Sequence, residues 1–217
     1  WIQAKPVEAV HPLLGTGRGV KNAKVYSKYW PSLPESFLFC QEEFACLSLG
    51  IVLEILVAAG NKINSELELV SLRNLAFYPP CLANGQSFSY QVRCTSLGNK
   101  SVVELVHLTD SDSRLIASAE IIHGEKGASR PLVPEYAEHG RAQEDESLGY
   151  QLPVQALNAV FPALLDGTSP CVQIPEVILY REPASYQGVV IACAGNDISL
   201  FTGQKQPLLS IVNSRSG

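Results

Sequence analysis

From Leu47 to Ala59 apolar side chains run almost all round a helical wheel: Leu47, Leu49, Ile51, Val52, Leu53, Ile55, Leu56 and Val57. A helix apolar on every face is buried on most of them. The pattern predicts a core helix over about Leu47 to Ala59, stopped by Gly60-Asn61. Four strand-like runs follow, Glu66 to Ala76, Ser87 to Ser96, Ser101 to Thr109 and Arg114 to Ile122. Alternation is visible in Phe88, Tyr90, Val92, Cys94 and in Val103, Leu105, His107. Leu97-Gly98-Asn99-Lys100 and Asp110-Ser111-Asp112-Ser113 read as hairpin turns between them. A second amphipathic helix is predicted over Val154 to Leu165, kinked or broken by Pro162 and stopped by Gly167 to Pro170. Strands over Val172 to Arg181, Gln187 to Gly195, Ile198 to Phe201 and Pro207 to Val212 close the chain.

The periodicity therefore describes two units, each a helix followed by an antiparallel meander. They divide the chain into a first subdomain over residues 1–123, a charged linker over 124–149 and a second subdomain over 150–217. The linker segment is dense in charge, Gly, Pro and Ser and poor in large apolar residues. A basic segment opens the chain, with Lys5, Arg18, Lys21, Lys24 and Lys28 against Glu8. Its GTGRG at 15–19 lacks the preceding strand and following helix of a dinucleotide loop, so it reads as a Gly-rich turn into a strand over Ala23 to Trp30.

Composition narrows the function classes. At 217 residues, 46% hydrophobic and 17% charged, the chain can bury a real core, which excludes intrinsic disorder. A net charge of −5 gives no general attraction for nucleic acid. The longest apolar stretch, Ala45 to Gly60 with Glu54 inside it, falls short of the roughly 20 apolar residues of a membrane span. The six cysteines (40, 46, 81, 94, 171, 193) and four histidines (11, 107, 123, 139) have no metal-ligand spacing. They read as free thiols of a cytoplasmic protein and scattered imidazoles, with no metal site. There is no signal-peptide pattern and no Met, so the chain reads as a piece of a longer polypeptide.

His11-Pro12-Leu13-Leu14-Gly15 resembles the opening of dehydratase domains in modular polyketide synthases. The order of elements fits that family over most of the chain, as do Cys171 to Tyr180 and Asp197 to Val212. The resemblance implies an α+β double hot dog, two antiparallel sheets each wrapped around a central helix. The family's GYxYGPxF strand is not found, which makes the second unit look trimmed. The resemblance also implies a substrate held as a thioester on the phosphopantetheine arm of an acyl carrier protein, with no directly bound cofactor. It implies an adjacent ketosynthase, and it allows a homodimer through the parent synthase.

In the family, a His in HxxxGxxxxP removes the α-proton of a β-hydroxyacyl thioester, and an Asp in HPxLLDxxxQ protonates the leaving hydroxyl. Matching the first motif to the core helix places Phe39 at the His, Glu43 at the Gly and Ser48 at the Pro. No histidine lies between His11 and His107, so a register shift does not restore the base. Phenylalanine accepts no proton. Two registers compete for the second motif. With Tyr150 to Pro153 as its lead-in, Leu157 takes the Asp position and Phe161 the Gln position, with Asn158 nearby. With Phe161 to Asp166 matched instead, Asp166 keeps the acid and Phe161 replaces the His. The first is preferred, because Gly-Thr-Ser-Pro ends the helix straight after Asp166. The candidate site thus comprises Phe39, Glu43, Ser48, Leu157, Asn158 and Phe161.

Three other features read as structural. Cys46 to Gly50 lacks the first Gly of a GxSxG nucleophile elbow. Glu42-Glu43 reads as a solvated edge and His123 as a surface residue at a strand end. The expected function is a dehydratase-like domain without dehydratase chemistry. It would be a scaffold that positions carrier-bound substrate and supports ketosynthase-mediated Michael-type β-branching, its basic N-terminal segment meeting an acidic carrier protein. The alternative is an active enzyme of the same fold, an isomerase, cyclase or residual dehydratase using Asp166 or Asn158.

Overall fold

The computed structural model describes residues 11–41, 44–82, 85–125, 137–143 (as backbone), 150–164, 171–180, 188–194, 196–202 and 204–213. Its centre is helix α1 (Leu49–Ile63), in which every residue from Leu49 to Gly60 is buried. Ser48 caps it, its hydroxyl accepting from the Ile51 N–H at 3.4 Å. Gly60-Asn61 does not stop the helix. The chain stays helical to Ile63, and Gly60 serves packing: a Cβ there would lie 2.4 Å from Ile121 Cδ1.

Around α1 runs a sheet built from β1 (Thr16–Val20), β2 (Ala23–Trp30), β5 (Glu68–Phe77), β6 (Phe88–Leu97), β7 (Lys100–Leu108) and β8 (Ser113–Gly124). A small separate hairpin, β3 (Leu38–Gln41) and β4 (Phe44–Leu47), leads directly into α1. Alternation sets the faces: Phe88, Tyr90, Val92 and Cys94 of β6 are buried, while Arg93 and Thr95 are exposed. Thr16 to Gly19 of the GTGRG segment belong to a strand, β1, whose five residues are exposed and which pairs with β2.

The second half contributes β9 (Ala137–Gln143), α2 (Val154–Leu164), β10 (Val172–Leu179), β11 (Gly188–Ala194), β12 (Asp197–Thr202) and β13 (Pro207–Val212). One expectation is corrected here and another narrowed. Residues 137–143, inside the segment read as linker, form β9 and pair with β11, so a strand stands where the second unit looked trimmed. Pro162 does not break α2: the helix passes through it to Leu164. Near a helix end proline removes one backbone hydrogen bond, and buried Val160 and Phe161 hold that turn against the core.

Among the described residues the strands other than β3 and β4 form one 11-stranded antiparallel sheet in the order β1-β2-β6-β7-β8-β5-β10-β13-β12-β11-β9. The β5–β10 pairing, from Val172 opposite Phe77 to Ile178 opposite Ser71, fuses the two halves. Arg73 Nε donates to Glu176 Oε1 across that seam at 2.7 Å, on the exposed face. α1 packs against β2, β5, β6, β7 and β8, and directly against α2. The architecture is α+β, a largely antiparallel sheet with two helices. Among the described residues no helix is long and apolar enough to cross a membrane.

Candidate functional site

The β3–β4 hairpin places Phe39 opposite Cys46, just ahead of α1. The Ser48 N–H donates to the Phe37 carbonyl at 2.8 Å, closing the hairpin base onto the helix start. The Phe39 ring meets Phe161 of α2 edge-to-face, with centroids 5.0 Å apart at 76°. Phe161 is fully buried and also packs on Phe77 of β5, at 5.7 Å. Three aromatic side chains from three elements thus close together. Edge-to-face contact adds roughly 0.5–1.5 kcal/mol per pair beyond burial.

Next to this cluster the N-termini of the two helices touch. Asn158 Oδ1 accepts from the Gly50 N–H at 3.0 Å. Gly50 permits the approach, since a Cβ there would lie 2.5 Å from the Val154 carbonyl oxygen and 2.7 Å from Asn158 Oδ1. Asn158 and Ser48 therefore take up the Gly50 and Ile51 N–H groups, two of the donors that a helix start otherwise leaves open. Leu157 is fully buried among apolar neighbours.

Of the residues the sequence singled out, the structure brings together Phe39, Phe161, Ser48 and Asn158, with Leu157 on the adjoining turn. Ser48 is a buried cap, not an exposed nucleophile. Beside it, burial pushes the Cys46 thiol up to about 12. Glu43 and Asp166 lie outside the described residues. His123 is not at the surface: it is 2% exposed, and its Nε2 lies 3.1 Å from the Ser101 hydroxyl, between β8 and β7. Among the described residues no group of three or more His, Cys, Asp or Glu side chains could hold a metal ion.

One residue escaped the sequence reading. Glu54, fully buried in α1, accepts from the Gln151 N–H through Oε1 at 2.7 Å and from the Leu152 N–H through Oε2 at 2.8 Å. His11 Nε2 lies 2.9 Å from Oε1, within ion-pair range but out of line for a hydrogen bond. His11 Nδ1 accepts from the Leu13 N–H at 3.3 Å. Asn61 Nδ2 donates to Gln151 Oε1 at 2.7 Å, one more tie to the same lead-in. Glu54 thus fastens the segment ahead of α2 to the flank of α1 and fixes where Asn158 and Phe161 fall. The signal was present, because a lone acid inside an apolar helix has to find partners, but nothing local says which.

No family model matches the sequence, and no curated protein does. Solved structures of similar fold do. The dehydratase domain from the CurF module of curacin polyketide synthase superposes with a TM-score of 0.68 at 15% identity, covering 95% of this chain and 98% of that one. An inactive CurK dehydratase mutant in which phenylalanine replaces a histidine gives 0.68 at 15%, covering 95% and 97%. GphF dehydratase 1 gives 0.65 at 15%, covering 93% and 96%. The chain has the fold of these polyketide synthase dehydratase domains.

Proposed function

We propose that the chain is a dehydratase-like domain of a modular polyketide synthase that does not dehydrate. The observation that carries this reading is the Phe39–Phe161 contact. The motif alignment places a proton-accepting histidine at Phe39, and at that point the chain offers a hydrocarbon ring packed on another. General base catalysis needs a titratable group within hydrogen-bond reach of the proton it takes. The similarly folded CurK mutant described as inactive likewise exchanges histidine for phenylalanine. With Leu157 buried at the preferred acid position, neither half of the proton transfer has a carrier.

What remains is a scaffold. In this reading an acyl carrier protein brings the substrate on its phosphopantetheine arm. A neighbouring ketosynthase adds a malonyl-derived carbanion to the β-carbon of an α,β-unsaturated thioester, and this domain holds the chain in place while the branch forms. Exposed Arg18 and Lys21 of the β1–β2 hairpin are the groups offered to an acidic carrier. Lys24 and Lys28 are more committed, to the Lys62 carbonyl and to the Trp30 ring. The setting is cytoplasmic, within a synthase that can pair domains as homodimers.

The first test is incubation with a β-hydroxyacyl carrier substrate, followed by mass spectrometry of the arm. No loss of water is expected. Robust dehydration would overturn the reading, and its disappearance in Asp166→Ala would move the acid to that residue. Deleting the domain from its parent module should abolish the branched product. Unchanged branched product would exclude the branching role.

A further inference from the structure

The hairpin that carries Phe39 also carries a group of thiols that the proposed function leaves unused. Cys40 and Cys46 lie on β3 and β4, and Cys81 follows β5. Ala45 and Leu82 form an antiparallel bridge, with the Leu82 N–H donating to the Ala45 carbonyl at 2.7 Å. In an antiparallel ladder, one step along from a directly bonded pair is a pair without mutual hydrogen bonds, with Cα atoms about 4.5 Å apart and side chains close. The bridge is a single one, and carrying its register one residue further sets Cys46 opposite Cys81. A separation of that size lies inside the range a disulfide spans. Cys40, opposite Ala45, falls in the neighbouring row.

We infer that Cys46 and Cys81 form an oxidisable cross-strand pair, a disulfide site that fastens the Phe39 hairpin to the segment leaving β5. Cys81 is exposed and is the thiol an oxidant reaches. With oxidised glutathione, the Cys81 thiolate attacks one glutathione sulfur, forming a mixed disulfide and releasing one glutathione. Cys46 then gives its proton to solvent, attacks the Cys81 sulfur and releases the second glutathione. Two protein thiols become one disulfide while one glutathione disulfide is reduced to two thiols. The buried Cys46 thiol, held high by desolvation, makes the second step the slow one. Since Cys46 is the cross-strand partner of Phe39, the bond would lock that ring's strand in register over Phe161.

The test is to equilibrate the chain with oxidised glutathione, quench with an alkylating agent, and map the digested peptides by mass spectrometry. The expected result is a Cys46–Cys81 linked peptide, with free thiols under denaturing conditions falling from six to four. Cys40→Ser should leave the link intact. Cys81→Ser, at an exposed position that keeps the fold, should abolish it. Cys46→Ser should leave glutathione on Cys81. Glutathione adducts on Cys40 and Cys81 with Cys46 still reduced, or a Cys40–Cys81 link, would overturn the proposal.

Discussion

Glu54 shows how one side chain can set the position of an element far away in sequence. Its carboxylate answers two backbone donors on the approach to α2 and lies beside the His11 imidazole. Removing it strands those donors in the interior, and each unsatisfied buried group costs about 1–3 kcal/mol. Glu54→Ala is therefore expected to lose about 2–5 kcal/mol, read as a lowered urea midpoint. A loss as small as that of a surface substitution would contradict the latch. Gly50 makes the complementary case of required absence. A methyl group there would press on the Val154 carbonyl. Gly50→Ala should cost about 1–3 kcal/mol in chemical denaturation, and a neutral effect would mean the helices do not meet there.

At the scale of elements, α2 and β9 depart furthest from local expectation. Pro162 leaves the Asn158 carbonyl without its helical donor. Pro162→Ala restores that donor, and thermal or urea unfolding should show a gain of about 1 kcal/mol or more. A loss would mean the proline ring itself packs productively. β9 lies in a charged segment with no hydrophobic alternation, yet its backbone runs beside β11 from Gln143 opposite Gly188 to Ala137 opposite Cys193. Hydrogen exchange should find the alternate amides of 137–143 that face β11 protected. Uniformly fast exchange across those residues would remove β9 from the sheet.

At the largest scale, the strands around α1 hold two histidines toward the neutral form, His123 buried and His107 half-buried. His123 is held below the ordinary 6.5 by burial, and His107, stacked on Phe88 at 4.6 Å, by partial burial and by Arg114. A histidine whose folded pKa is depressed binds its proton more readily in the unfolded chain. Its contribution to stability is complete above about pH 6.5 and is lost as pH falls through the folded value. Denaturation midpoints should therefore decline as pH falls below about 6.5, and the slope should shrink in His123→Leu. An unchanged slope would assign the decline to other groups. Glu120, held below its usual 4.5 by a hydrogen bond from Lys100, comes into play only in a more acid window.

Features that repeat locally could be read from residue order alone. The all-round apolar wheel of α1, the alternation of β6 and β7, and the turn at Gly98-Asn99 follow from side-chain period and backbone preference within a few residues. The phenylalanine at position 39 and the lack of histidine between His11 and His107 were equally legible, as was the order of elements that matches the fold of the dehydratase domains. Which long-range partners those pieces take emerged from the folded chain. The β5–β10 seam, the strand at 137–143, the carboxylate of Glu54 on Gln151 and Leu152, and the Asn158 amide on Gly50 each join residues about a hundred positions apart or lie in segments without periodicity. Period records which face of an element is buried and is silent on what buries it. That is settled by the shape of the assembled core, where polar groups must find partners and two helices can touch only where a glycine lets them.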